Sequence, residues 1–157
     1  MNHRVAKPFV MPPQRRQRGI AAIEFAFIFP IFFLIFYGIV TYGVIFVAQQ
    51  SITMAAEEGA RAALRYAANP DDRETNAKNA ATGNGSAAAW LNANNRLVFE
   101  PTAQKCTYDA SPTQSNCYTV KVSYNYRQNP LIPLLLGPLM GFAVPEKLSS
   151  SATIQID

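Results

Sequence analysis

Histidine is almost missing from this sequence: His3 is the only one in 157 residues. A body without histidine has no base for a Ser-His-Asp or Cys-His relay. Nor can it build the usual histidine-bearing catalytic zinc site. Charge is scarce as well, at 15% Asp, Glu, Lys and Arg against roughly 25% in an ordinary soluble domain. The shortfall is local, because no charged side chain occurs between Phe25 and Ala48 while both flanks are polar. That pattern excludes an ordinary soluble globule, and 49% hydrophobic residues exclude a disordered chain. Ser149–Ser151 and the acids at 71–74 offer reactive groups but no base–nucleophile pair, so neither a catalytic residue nor a cofactor is expected.

What charge there is sits unevenly. Arg4, Lys7, Arg15, Arg16 and Arg18 place five positive charges in a leader that has no acid, and the remainder of the chain is close to neutral. The overall net charge of +4 therefore belongs to a short tail. A nucleic-acid-binding body needs basic residues spread over a folded face, and this one lacks them.

From Phe25 the chain runs FAFIFPIFFLIFYGIVTYGVIFVA, 24 residues that would cover about 36 Å as a helix. About 20 suffice to cross a bilayer. The run is apolar all round, which suits a span and not a helix with one wet face. It is longer than the apolar region of a cleaved secretory signal, and more helical sequence follows it. With five cations before the span and the next one at Arg61, the positive-inside rule puts the leader in the cytoplasm and the body outside. The expected location is thus single-pass in the inner membrane, with the C-terminal domain periplasmic or extracellular. In that oxidising compartment Cys106 and Cys117, which enclose turn-forming residues, are expected to form a disulfide.

Glu24 contradicts a simple anchor. A carboxylate at the lip of an apolar run calls for a partner, although acids near helix ends also reach the interface unaided. Cutting the chain after Gly19 would supply a partner, because the new α-amine of Ile20 lies four residues before Glu24, one helical turn away. The same carboxylate could meet the amine of a neighbouring subunit. Cleavage would also remove all five cytoplasmic charges, each of which costs about 2.3 kcal/mol per 100 mV to pull across the membrane.

The basic leader, Arg18-Gly19, Glu24-Phe25, Pro30, Gly38 and the Ala/Arg-rich helix end together resemble the conserved segment of the TadE-like pseudopilins, minor components of the tight-adherence (Flp, type IVb) pilus machinery. The resemblance covers roughly residues 18–67. It implies that Gly19–Ile20 is the scissile bond of a prepilin peptidase, and that the partners are other pilins or pseudopilins and an inner-membrane assembly platform, besides membrane lipid. It further implies a structural protein for surface adhesion and not an enzyme. A permanently anchored envelope protein with an extracytoplasmic binding domain is the alternative.

The remaining pattern predicts an α+β body. The long helix is expected over 20–68 with its span at about 25–48, leaving 69–157 as the outer domain. Pro30 should kink the span, because it removes a helical hydrogen bond. Gly38 and Gly43 are candidate helix-packing positions. Asn69-Pro70-Asp71-Asp72 reads as a helix start, more simply than as a calcium site, and predicts a helix from Pro70 to Thr82 ended by Gly83. Ser86 should cap a short helix through Asn92 that buries Trp90 and Leu91. Period-two alternation over 118–127 and 148–157 predicts two strands, with a weaker third at 96–100 forming a hairpin through the cysteine loop. Tyr118, Tyr124 and Tyr126 share one face of that hairpin, as sheet core in preference to a stacking platform. The uncharged stretch Leu131–Val144 is too short to span and is expected to be half-buried with one contact face.

Overall fold

The computed structural model describes residues 18–65, 69–107, 116–133, 137, 141 and 143–156. The leader to residue 17, the cysteine loop 108–115 and much of 131–144 lie outside them. Two compact units divide the chain, Met1–Ile39 and Val40–Asp157.

Helix α1, Arg18–Ala63, holds Pro30 inside it without a break in helical assignment. Its 46 residues stop short of the expected Ala68. Leu64 and Arg65 instead donate to the carbonyls of Arg61 and Ala62, each at 3.2 Å, so the last turn tightens from i−4 to i−3 bonding. A proline follows a few residues on. Pro70 disfavours helical geometry at the residue before it, and Asn69 is extended, at φ −133° and ψ 156°.

Helix α2, Pro70–Thr82, has the predicted bounds. The Asn69 carbonyl accepts from the amides of Asp72 and Arg73, and Asp71 and Asp72 complement the first turn through the helix dipole. The Asn69 side chain itself makes no capping bond to the backbone. Gly83 ends the helix by donating to Asn79 O at 2.9 Å. A Cβ at Gly83 would lie 2.3 Å from that oxygen, so no other residue fits there unchanged.

The segment after α2 departs from expectation. Only Ala89–Leu91 is helical, as one 3₁₀ turn. Leu91 is buried, but Trp90 stays 47% exposed. Its indole N–H donates to Ser51 Oγ at 3.1 Å, which fixes the ring at the surface with one face wet, a common compromise for tryptophan. Ser86 is buried. It donates to Ala81 O at 2.7 Å and accepts from the Ala88 amide, closing a turn.

Three antiparallel strands follow: β1 (Leu97–Lys105), β2 (Asn116–Tyr124) and β3 (Leu148–Ile156), in the order β1-β2-β3. Pro101 falls in the edge strand β1, where a missing amide is tolerated. The weak third strand is thus nine residues long and not five. The cross-strand sets Leu97–Tyr124–Leu148, Phe99–Val122–Ser150, Pro101–Val120–Ala152 and Ala103–Tyr118–Ile154 all fall on the inner face. Strand β2 ends at Tyr124, before the predicted Arg127, because Asn125 opens a turn in which its carbonyl accepts from the Asn129 amide. Tyr126 is nevertheless fully buried.

The core is built from small residues on the helices and larger ones on the sheet. Ala48, Ala55, Ala56, Ala60 and Ala63 of α1 and Ala77 and Ala81 of α2 are buried beside Val120, Val122 and Tyr124. Gly59 marks the closest approach: a Cβ there would stand 2.9 Å from that of Ala81 and 3.1 Å from Val120 Cγ1.

Candidate membrane and processing site

In the first unit α1 carries its apolar residues outward. Every residue from Gly19 to Phe36 is exposed, including Ile20, Phe25, Phe27, Ile31 and Phe32, each above 60%. Burying such surface in lipid stabilises by roughly 25 cal/mol per Å², and water offers no equivalent. Phe25, Phe29, Phe33 and Tyr37 stack at i, i+4 spacing, with ring centroids 5.2, 6.0 and 6.2 Å apart. This helix is long and apolar enough to cross a membrane.

Gly19 and Ile20 lie at the second and third positions of α1. Among the described residues nothing stands within 4 Å of a Cβ built on Gly19. Glu24 and Phe25 follow on the same exposed stretch. Among the described residues the ion pairs are Glu57–Arg61, Glu100–Lys121 and Glu146–Arg127, so the Glu24 carboxylate has no cation beside it. Gly38 and Gly43 likewise have open space where a side chain would be. Among the described residues nothing stands where their side chains would be.

In the second unit the body grips the upper part of α1. Thr41, Ile45, Ala48, Ile52, Ala55 and Gly59 turn inward at alternating spacings of four and three. Three polar pins reinforce the contact: the Tyr42 hydroxyl donates to Ala143 O, Gln49 Nε2 donates to Ser149 O at 3.0 Å, and Ser51 accepts from Trp90. None of the three is legible in the sequence, since a polar residue in an apolar helix gives no hint of a distant partner. Gly59 does carry a signal, because a glycine inside an alanine-rich helix costs about 1 kcal/mol relative to alanine and so points to a close approach.

Elsewhere the body has few chemically distinctive features. Cys106 and Cys117 form a buried disulfide, with Cα atoms 5.0 Å apart, closing the β1–β2 hairpin. Asn92 joins the end of α2 to the start of β1, donating to Thr82 O at 2.7 Å and accepting from the Leu97 amide. Tyr118, Tyr124 and Tyr126 are buried, so they cannot serve as a stacking platform. Burial, then the nearby Glu74 carboxylate, pushes the Tyr118 phenol above its usual range. Glu100 is held below the ordinary carboxylate range by its hydrogen bond and charge contact with Lys121, 2.9 Å away, and by Lys147. An open polar cleft of about 390 Å³ lies between the helices, lined by Glu58, Arg61, Arg65 and Asn79. Among the described residues no three His, Cys, Asp or Glu side chains are placed to hold a metal ion.

Residues 19–61 match the family model of the TadE-like proteins. The match takes in the apolar half of α1 and most of the gripped half, and leaves α2 and the sheet outside. No curated protein and no solved structure matches the chain.

Proposed function

We propose, from the TadE-like segment at 19–61, that this chain is a minor pseudopilin of a tight-adherence pilus. In this reading it is cut by a prepilin peptidase between Gly19 and Ile20 and then takes part in building or initiating the filament. The observation that carries the reading is Gly19 with Glu24-Phe25 at the head of an exposed apolar helix. Before cutting, the cationic leader is a lock: five charges resist transfer at about 2.3 kcal/mol each per 100 mV. After cutting, the apolar part of the helix carries a new α-amine and the Glu24 carboxylate, which compensate each other within or between copies. The body then supplies shape and contacts, not catalysis. Its expected position is outside the inner membrane, with assembly proteins of the platform and other pilins as partners.

Intact mass tests the proposal. Coexpression with an active prepilin peptidase should remove residues 1–19, and replacing Gly19 with a bulkier residue should block the loss. Full-length mass in the presence of an active peptidase would instead support a permanent anchor bearing an extracytoplasmic binding domain.

A further inference from the structure

The sheet β1-β2-β3 has two edges, and the chain treats them differently. Pro101 shows which backbone groups face outward. It has no amide to give a ladder, so in an edge strand its nitrogen points away from the neighbour, here β2. Pro101 stands opposite Val120, and Val120 opposite Ala152. Along an antiparallel strand, successive residues turn their amide and carbonyl to opposite sides. With Pro101 facing out, Val120 turns to β3 and Ala152 turns back to β2. Ser149, Ser151 and Thr153 then present their backbone groups outward. A separate bond agrees with that phase: Ser149 O accepts from Gln49 Nε2 of α1 at 3.0 Å.

Gln49 closes only the start of the β3 edge. Beyond it the amides and carbonyls of Ser151 and Thr153 have no partner among the described residues. Apolar surface is left open beside them. On the inner face Tyr118, Val120, Val122 and Tyr124 of β2 are buried, whereas Ala152, Ile154 and Ile156 of β3 are only half-buried.

An open edge is ordinarily blunted by charge or proline. Strand β1 has both, with Glu100, Pro101 and Lys105. Strand β3, LSSSATIQI, has no charge, proline or glycine in nine residues. Its complement is therefore an extended, uncharged strand, small and polar on one face and aliphatic on the other. Strand β3 itself has that composition. Two β3 strands paired antiparallel about a two-fold axis set hydroxyls against hydroxyls outside and Ala152 and Ile154 against their equivalents inside, and no like charges are opposed.

We propose that the open part of β3 pairs antiparallel with β3 of a second copy of this chain, joining two three-stranded sheets into one. The inference needs neither cleavage nor filament assembly.

The full chain in detergent provides the test. Light scattering should give a dimer. Of Ser151→Cys, Ala152→Cys and Thr153→Cys, made singly, at least one should form a cross-linked dimer on mild oxidation, at least tenfold above Thr102→Cys on β1. Thr153→Pro removes an outward amide and a surface hydroxyl bond to Thr119, and should lower the dimer fraction at least tenfold. Ser151→Lys should do the same, and because Ser151 is exposed it keeps the test valid should the proline variant misfold. A native chain that is monomeric would overturn the proposal. So would a dimer that survives both substitutions, which would assign the contact to α1. Cross-linking of the β3 cysteines to another pilus protein, and not to each other, would overturn it as well and give the edge to a different chain.

Discussion

Gly59 of α1 and Ala81 of α2 meet so closely that a methyl group added to the glycine would lie 2.9 Å from the alanine's own. The Ala77 carbonyl and Val120 Cγ1 close the other sides at 3.1 Å. Overpacking of this kind costs roughly 1–3 kcal/mol. Gly59→Val should therefore lower the thermal midpoint of the full chain in detergent, by an amount equal to about 2 kcal/mol or more. Gly59→Ala should cost less, because alanine regains about 1 kcal/mol of helix propensity. Gly38→Ala and Gly43→Ala meet open space and should leave that midpoint unchanged or raised. If they impair filament formation all the same, the defect lies between chains.

The disulfide should matter to the sheet more than to the helix. Cys106 and Cys117 close a hairpin loop of eleven residues' separation, for which the chain-entropy account gives on the order of 3 kcal/mol. Cys106→Ser/Cys117→Ser should lower the midpoint of the body while leaving the helical signal of α1 in detergent intact. Because both cysteines are buried, reductant added to the native protein should act slowly and added to unfolded protein at once. Timed thiol labelling distinguishes these cases.

The two shifted groups predict opposite pH edges. Tyr118 titrates above its usual value near 10 in the folded state, so the native chain disfavours its ionisation. Its contribution is complete below the unfolded value and is lost as pH rises through the folded one. Tyr118→Phe should remove that alkaline loss. It should be neutral or stabilising by up to about 1 kcal/mol at pH 7, since the phenol oxygen is buried without a partner among the described residues and an unmade hydrogen bond is a cost. Glu100 behaves in reverse. Its carboxyl is lowered by Lys121, so its contribution is present above the ordinary carboxylate value and fades as pH falls through the folded one. Glu100→Gln should flatten the acid side of the stability profile, measured by denaturant midpoints across pH.

Glu24 should be silent in folding and decisive in assembly. Its side chain is exposed and outside every ion pair among the described residues, so Glu24→Gln should leave the body's midpoint unchanged. Peptidase cleavage should also proceed, but the sheared, sedimentable filament fraction should fall at least tenfold. Filaments at the native level from Glu24→Gln chains would remove the charge-pairing role.

Much of this protein follows from local chemistry that a linear reading captures. The apolar run, the cationic leader, Asn69-Pro70 as a helix start, Gly83 as its stop and the alternation of Tyr118, Val120, Val122 and Tyr124 each depend on neighbours within a few residues. Backbone sterics and side-chain periodicity act over that same range. What only tertiary structure decided are the relations between distant segments: Gly59 against Ala81, Tyr42 with Ala143, Gln49 with Ser149 and Trp90 with Ser51. The early stop of α1, the exposed tryptophan and the full length of β1 belong to the same group. Each depends on which surfaces meet once the chain has folded. Packing distance and hydrogen-bond demand are settled by three-dimensional neighbours, and a glycine or serine in a helix does not name its partner until that partner arrives.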